Sequence, residues 1–289
     1  DTSVTKTGLT LTEGSTYYVS VRATDTDSQL SDTTTTDGVT VDVTAPVISS
    51  VSEGSAISGS SNTHSLSFDG VDDYVRILDN EILQFESDFS VSIWYKLSDA
   101  PDFQMMVSKQ GTGSPNAYGW MYGFSDGSNW YANIENQSGQ SSIGGASYSN
   151  IGSLNEWHNG VFAVDQNDAM NLYVDGQLLY SINIGEISPS ANVIADLLFG
   201  TDREENVFLN AIMDEISIWD QALTQEQIQS NIYNELSGDE TGLVGYWNFN
   251  EGEGTTLTDQ TSNGNNGSIV GATWSEDVPA TSTGGGGGG

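Results

Sequence analysis

Apolar and polar residues alternate with a period of two along most of this chain, the pattern of half-buried strands. In DFSVSIWYKL, Phe89, Val91, Ile93, Tyr95 and Leu97 share one parity and are expected to point inward. TYYVSVRATD sets Tyr17, Val19, Val21 and Ala23 against Tyr18, Ser20, Arg22 and Thr24. HSLSFDGVDDYVRI reads as two strands around a tight turn at Asp69-Gly70, and QMMVSKQ, YGWMYGFSDG and NWYANIEN follow as strands separated by Gly, Asp and Asn turns. EWHNGVFAVDQNDAMNLYVDGQLLYSINIG gives three more, with Asp175-Gly176 closing a hairpin. After NVIADLLFG comes a strand from Ile212 to Trp219, with Ile212, Ile216 and Ile218 on one parity and Met213 and Trp219 on the other. Both of its faces are largely apolar, so it is expected inside a sandwich, not at an edge. GLVGYWNFNEG and GSIVGATW supply the last strands. One helix is expected, Thr224 to Leu236, with Thr224 as N-cap and Gln227 at capping-box spacing.

These elements divide the chain into four stretches: 1–45, a Ser/Gly-rich linker at 46–63, a main domain at 64–278, and a Gly-rich tail at 279–289. The first should hold three strands, Gly8–Leu11, Thr16–Thr24 and Gly38–Val43. Its pattern, with Tyr17 or Tyr18 as a corner tyrosine, resembles the last three strands of a fibronectin type III or other immunoglobulin-like sandwich. A whole domain of that class needs about 100 residues. Either the chain continues upstream, or a neighbouring copy supplies the missing strands, as in a filament joined by strand complementation.

In the main stretch, FDGVDDYV, SIWYKL, EWHNGVFAVDQNDAMNLYVDG, AIMDEISIWDQALTQEQI and GLVGYWNFNEGEGTTLTDQTSNGNNGSIVGATWSEDVP occur in the order of the laminin-G-like, concanavalin A-type jelly roll. The chain resembles the pentraxin-like branch of that family over about 215 residues. The resemblance implies an all-β fold of two antiparallel sheets packed face to face. It also implies a concave face able to hold a ligand and, in many members, a calcium ion at the rim.

Composition narrows the partners. Forty acidic residues stand against six basic ones, a formal net charge of -34. That excludes nucleic acid, whose binding needs clustered Lys and Arg, and disfavours an anionic membrane surface. The charge suits a solvated surface, and also carboxylates that hold hard cations. There is no cysteine, which fits a secreted bacterial protein stabilised by metals as well as it fits a cytosolic one. No run of 18 apolar residues exists, so membrane insertion by a helix is not expected.

The candidate chemistry is led by carboxylates. The resemblance carries a rim calcium onto Asp69, Asp72 and Asp214, with the Gly70 carbonyl as a further ligand, since calcium takes several hard oxygens. The alternative for Asp69 and Asp72 is that they shape a turn. A second candidate is Asp259 with Asn263 and Asn265, a spacing that suits an Asx-turn loop equally well. Catalysis of the β-glucanase kind would need two carboxylates on one strand face. Glu215 has only Ser217 and Trp219 at its own parity, and Asp214 and Asp220 are six residues apart, so no enzyme is expected. His64 and His158 have no nucleophile or metal-site partner in any motif. Trp120, Tyr122, Trp130, Tyr131 and Tyr148 crowd a Gly-rich region. A sugar-binding set of Trp120, Trp130, Asn133, Glu135 and Gln137 is expected there, with ordinary core packing as the alternative. The sequence thus describes a calcium-stabilised extracellular adhesion or structural module, or a carbohydrate-binding one. Its partner would be a glycan, a cell-surface protein or neighbouring copies of itself.

Overall fold

The computed structural model describes residues 16–18, 20–21, 32–35, 39–40, 62–99, 103–111, 118–125, 129–135, 141–144, 151–166, 168–184 and 193–279. The chain forms two compact units, Asp1–Ser58 and Gly59–Gly289. In the first, β1 (Thr16–Tyr17) pairs antiparallel with β4 (Val39–Thr40), and β2 (Ser20–Val21) with β3 (Thr34–Thr35). The expected strand Gly8–Leu11 lies outside the described residues, and Tyr18 is 62% exposed.

The second unit holds β5 (Ser65–Asp69), β6 (Tyr74–Ile77), β7 (Phe89–Lys96), β8 (Gln104–Gly111), β9 (Tyr118–Ser125), β10 (Asn129–Glu135) and β11 (Ser141–Gly144). It continues through β12 (Trp157–Val164), β13 (Ala169–Val174), β14 (Gln177–Asn183), β15 (Leu197–Phe199) and β16 (Asn210–Trp219). Helix α1 (Gln225–Tyr233) follows, then β17 (Leu243–Trp247), β18 (Thr256–Leu257), β19 (Gly267–Val270) and β20 (Thr273–Ser275). One sheet has the order β11-β10-β9-β8-β15-β6-β19-β18. The other runs β14-β13-β12-β7-β16-β5-β20, with β17 added alongside β16. This is the expected all-β sandwich.

Alternation sets the core. Phe89, Val91, Ile93, Tyr95 and Leu97 are all buried between the sheets, as their parity requires. Asp175 and Gly176 both have positive φ, 49° and 71°, the turn that matches strand twist in a two-residue hairpin. Thr224 caps α1 in a capping box with Gln227, as its spacing predicts. The helix carries Ile228 onto Val161, Ala163, Tyr173, Trp219, Leu223, Leu243 and Tyr246, a second apolar cluster on the outer face of the β7–β16 sheet. Among the described residues, the outer face of the β8–β10 sheet has no such cluster.

The parity expected for β16 is corrected. Asp214 pairs with Trp94, but Ser217 pairs with Ser92, so β16 spends one extra residue there. Glu215 takes φ 50°, which is uncommon for a residue with a side chain. This bulge switches the inward set from Ala211 and Met213 to Ile216 and Ile218. Ile212 is therefore not on the face of Ile216 and Ile218, and it is only half-buried.

Candidate functional site

The turn from β5 to β6 collects three acids. Gly70, with φ 81°, lets the chain reverse after Asp69. The Asp69 carboxylate accepts from the Val71 N–H at 2.9 Å, and the Asp73 carboxylate accepts from the Asp69 N–H at 2.8 Å. One carboxylate oxygen from each of Asp69, Asp72 and Asp73 lies within 4.8 Å of the other two; Asp69 and Asp72 are exposed and Asp73 is buried. Burial raises the pKa of Asp73, the Asp69 N–H opposes that, and the charges of Asp69 and Asp72 raise it further. Hard oxygens this close, repelling one another, suit a hard divalent cation. Asp73 belongs to this group, although the ligand set implied by the resemblance did not include it.

Asp214 does not belong to it. Asn210 is the β16 residue opposite Asp69, and Asp214 lies four residues further along, about 13 Å away at strand rise. The ligand set expected from the resemblance is therefore split, and this part of the expectation is corrected. Asp214 is fully buried at the bulge. Its carboxylate accepts from Asn62 Nδ2 and from the Glu215 N–H, both at 2.8 Å. Burial pushes its pKa well up, and the neighbouring Glu215 charge adds to this. Glu215 accepts a hydrogen bond from the Tyr246 hydroxyl, and burial pushes its pKa up to about 7.

The second cation candidate is also corrected. The Asp259 carboxylate accepts from the N–H groups of Tyr246, Thr261 and Asn265 at 3.1, 2.9 and 2.8 Å, and from the Thr261 hydroxyl. Donors surround it, so it presents no oxygen for a cation. The Asn263 and Asn265 amides both donate to the Val244 carbonyl, which fixes the loop against β17. His158 is held by Asp175 at 2.7 Å, and that hydrogen bond raises its pKa. His64 bonds the Thr63 hydroxyl.

The aromatic region separates by parity. Trp120 and Trp130 are 0% and 1% exposed. Both pack in the core, Trp130 against Tyr122, Tyr95 and Phe124, so neither ring offers a face to a sugar, and their expected role is corrected. Residues 130, 132 and 134 of β10 point inward, which puts Tyr131, Asn133 and Glu135 on the outer face. Gln137 lies outside the described residues. Tyr131 meets Phe103 edge to face at 5.3 Å, and Phe103 is 41% exposed. Asn133 is 8% exposed and bonds the Tyr131 phenol, and its Oδ1 is buried without a hydrogen-bond partner. On the neighbouring β9, Gly123 stands opposite Tyr131 and Gly119 opposite Glu135, with Met121 between them on the same face, opposite Asn133. A Cβ at Gly123 would lie 2.2 Å from the Gln104 carbonyl oxygen, so the close backbone approach demands glycine. This outer face therefore carries two aromatic rings, the Met121 side chain and a carboxylate. Tyr131 and Phe103 were not in the expected set.

Comparison with known proteins bears on this arrangement. Residues 68–229 match the family described as the concanavalin A-like lectin/glucanases superfamily. A candidate carbohydrate-binding protein from Bacteroides ovatus ATCC 8483 has a similar structure, at 15% identity and a TM-score of 0.59, over 94% of this chain and 72% of that one. A heptameric SAP-like pentraxin from Limulus polyphemus aligns at 13% identity and a TM-score of 0.45, over 59% of this chain and 82% of its own. The ligand-binding domain of botulinum neurotoxin serotype D, solved with N-acetylneuraminic acid, aligns at 16% identity and a TM-score of 0.48, over 69% of this chain and 53% of its own. No curated protein matches the sequence. At these identities the likeness is one of fold.

Proposed function

Because the chain belongs to the concanavalin A-like lectin/glucanases superfamily, we propose that its second unit is a non-catalytic, glycan-binding module of an extracellular adhesion or structural protein. One observation carries this reading. The helix side of the sandwich is sealed by apolar packing, while the opposite outer face presents Phe103, Tyr131 and Glu135 beside Met121. A sugar ring stacks on an aromatic side chain and satisfies its hydroxyls on amides and carboxylates.

The absence of catalysis is part of the proposal. Paired acid and base chemistry on a glycosidic bond needs two accessible carboxylates across the bond. Glu215 has the raised pKa of a general acid, but its neighbour Asp214 is 0% exposed and already hydrogen-bonded.

Calcium is the other part. Asp69, Asp72 and Asp73 are the residues that would hold it, and the ion would neutralise their mutual repulsion and stiffen the β5–β6 turn. The binding reading is tested by a glycan array followed by calorimetric titration of the hits. Binding that is lost in Tyr131→Ala, with an unchanged melting transition, supports it. A chain that binds no glycan, or a Tyr131→Ala variant that binds like the parent, removes it.

A further inference from the structure

We propose that the Tyr131–Asn133 face selects neutral glycans and rejects those bearing carboxylate or sulfate groups. This rests on the glycan-binding reading of the same face and adds the substrate class. Positive charge is scarce: the whole chain has six Lys and Arg residues, four of them in the second unit. Lys6 and Arg22 belong to the first unit. In the second unit Arg76 is paired with Asp196 and Glu205, Lys96 with Asp277, Lys109 with Asp79, and Arg203 with Glu204. Lys109 is on β8, next to β9, but its side chain is fully buried on the core side and also donates to the Ala195 carbonyl. Arg203 keeps Nη1 without a partner, but that nitrogen is buried and follows β15, three strands from β10 in the sheet order. Residues 112–117, 126–128, 136–140 and 145–150 contain no Lys, Arg or His.

The partly exposed acid of this face favours hydroxyl groups. Glu135 can only accept while ionised, so a sugar hydroxyl can donate to it. A ligand carboxylate would bring an acceptor to an acceptor and a negative charge to a negative charge. A calcium ion on the β5–β6 turn would not rescue it. That turn leads into β6, four strands from β10 in the sheet order, about 19 Å at ordinary strand spacing. The screening length in physiological salt is about 8 Å.

The test uses the intact chain and matched probes: neutral gluco-, galacto-, manno- and N-acetylhexosamine oligosaccharides, each beside a counterpart carrying sialic acid, a uronic acid or sulfate. Titrations run in roughly 0.5 M NaCl, where the screening length falls to about 4 Å, so that the net charge of the whole molecule is muted. The expected result is binding of one or more neutral probes, with every acidic counterpart weaker by about tenfold or more, the loss that follows from burying a charge without a partner. Glu135→Lys should narrow that gap for the acidic probe. An acidic counterpart that binds as tightly as its neutral parent overturns the selectivity and leaves glycan binding standing. Failure of every probe removes glycan binding and this inference together. A gap unchanged in Glu135→Lys overturns the placement on this face.

Discussion

Trp130 and Tyr131 are neighbours in sequence that the fold sends to opposite sides of one sheet, so their truncation should give opposite phenotypes. Trp130 is 1% exposed, with ring centroids 5.2 Å from Tyr122, 5.4 Å from Tyr95 and 4.9 Å from Phe124. Replacing a buried Trp by Ala costs about 3–5 kcal/mol, from lost transfer energy and the cavity left behind. The three ring contacts, about 0.5–1.5 kcal/mol each, are included in that cost. In a domain of roughly 200 residues, 1 kcal/mol moves Tm by about 2–4 °C, so Trp130→Ala should melt roughly 6–20 °C lower. Tyr131→Ala removes an outward ring whose partner Phe103 is itself 41% exposed. It should cost about 1 kcal/mol or less and shift Tm by at most a few degrees. Scanning calorimetry reads the first quantity, and titration with an array hit reads affinity, which Tyr131→Ala should lose and Trp130→Ala should keep below its melting range. If Trp130→Ala melted like the parent but lost the glycan, that ring would have to face solvent. The strand parity behind the whole site would then be inverted.

Other consequences are separable. The folded pKa of Glu215, about 7, lies above the ordinary glutamate value of 4.5. The folded state therefore binds more protons between those values, and stability from this group is full below pH 4.5 and lost as pH rises through 7. Glu215→Gln keeps an acceptor for Tyr246, so its Tm should exceed that of the parent at pH 8 and match it at pH 4.5; equal values at both would remove the shift. Asp79→Ala leaves the buried Lys109 ammonium with only the Ala195 carbonyl, and should cost about 3–5 kcal/mol, read as a lower denaturant midpoint. Calcium at about 100 times its Kd should add about 2.7 kcal/mol to the parent in a thermal scan, and nothing to Asp72→Asn. Asp259→Ala should unfold more readily by about 3 kcal/mol or more, because several buried N–H groups lose their acceptor, yet retain the full calcium increment.

Much of the architecture was legible because it follows from local rules. The inward set of β7 needed only alternation, the β13–β14 hairpin only Asp175-Gly176, and the helix start only Thr224 and Gln227. What escaped depends on register between distant strands. Nothing local in AIMDEISIW announces a bulge, which arises because Asp214 and Ser217 answer to Trp94 and Ser92 on β7. The same holds for the ligand set split between Asp69 and Asp214, whose separation is fixed by the pairing of Asn210 with Asp69. The sugar-binding set failed differently, because the signal was present. In NWYANIE, Trp130 has the opposite parity to Asn133 and Glu135, so one strand could not present all three on one face. Choosing the largest rings over the correct parity selected core residues and passed over Tyr131.

The buried acids of β16, which look from the sequence like a functional signal, have a structural reading that the geometry makes specific. Asp214 uses one oxygen on the N–H of Glu215, the residue with φ 50°, and so stabilises a backbone turn that Glu215 would not adopt unaided. Glu215 in turn receives the hydroxyl of Tyr246 from β17, the strand that joins β16 only beyond the bulge. The two carboxylates thus fix the point where β16 exchanges faces. Before it, Met213 packs between the sheets; after it, Ile216 and Ile218 do so, and Trp219 turns outward to the helix cluster with Tyr246. A strand without the bulge would send Ile216 and Ile218 outward and Trp219 into the core, breaking both apolar clusters at once. Desolvation of two acids is a cost the fold bears to hold that crossover, and it is borne on the sheet that α1 covers. The face proposed for a glycan belongs to the other sheet, where the outward residues are Tyr131, Glu135 and Met121, with Phe103 beside Tyr131.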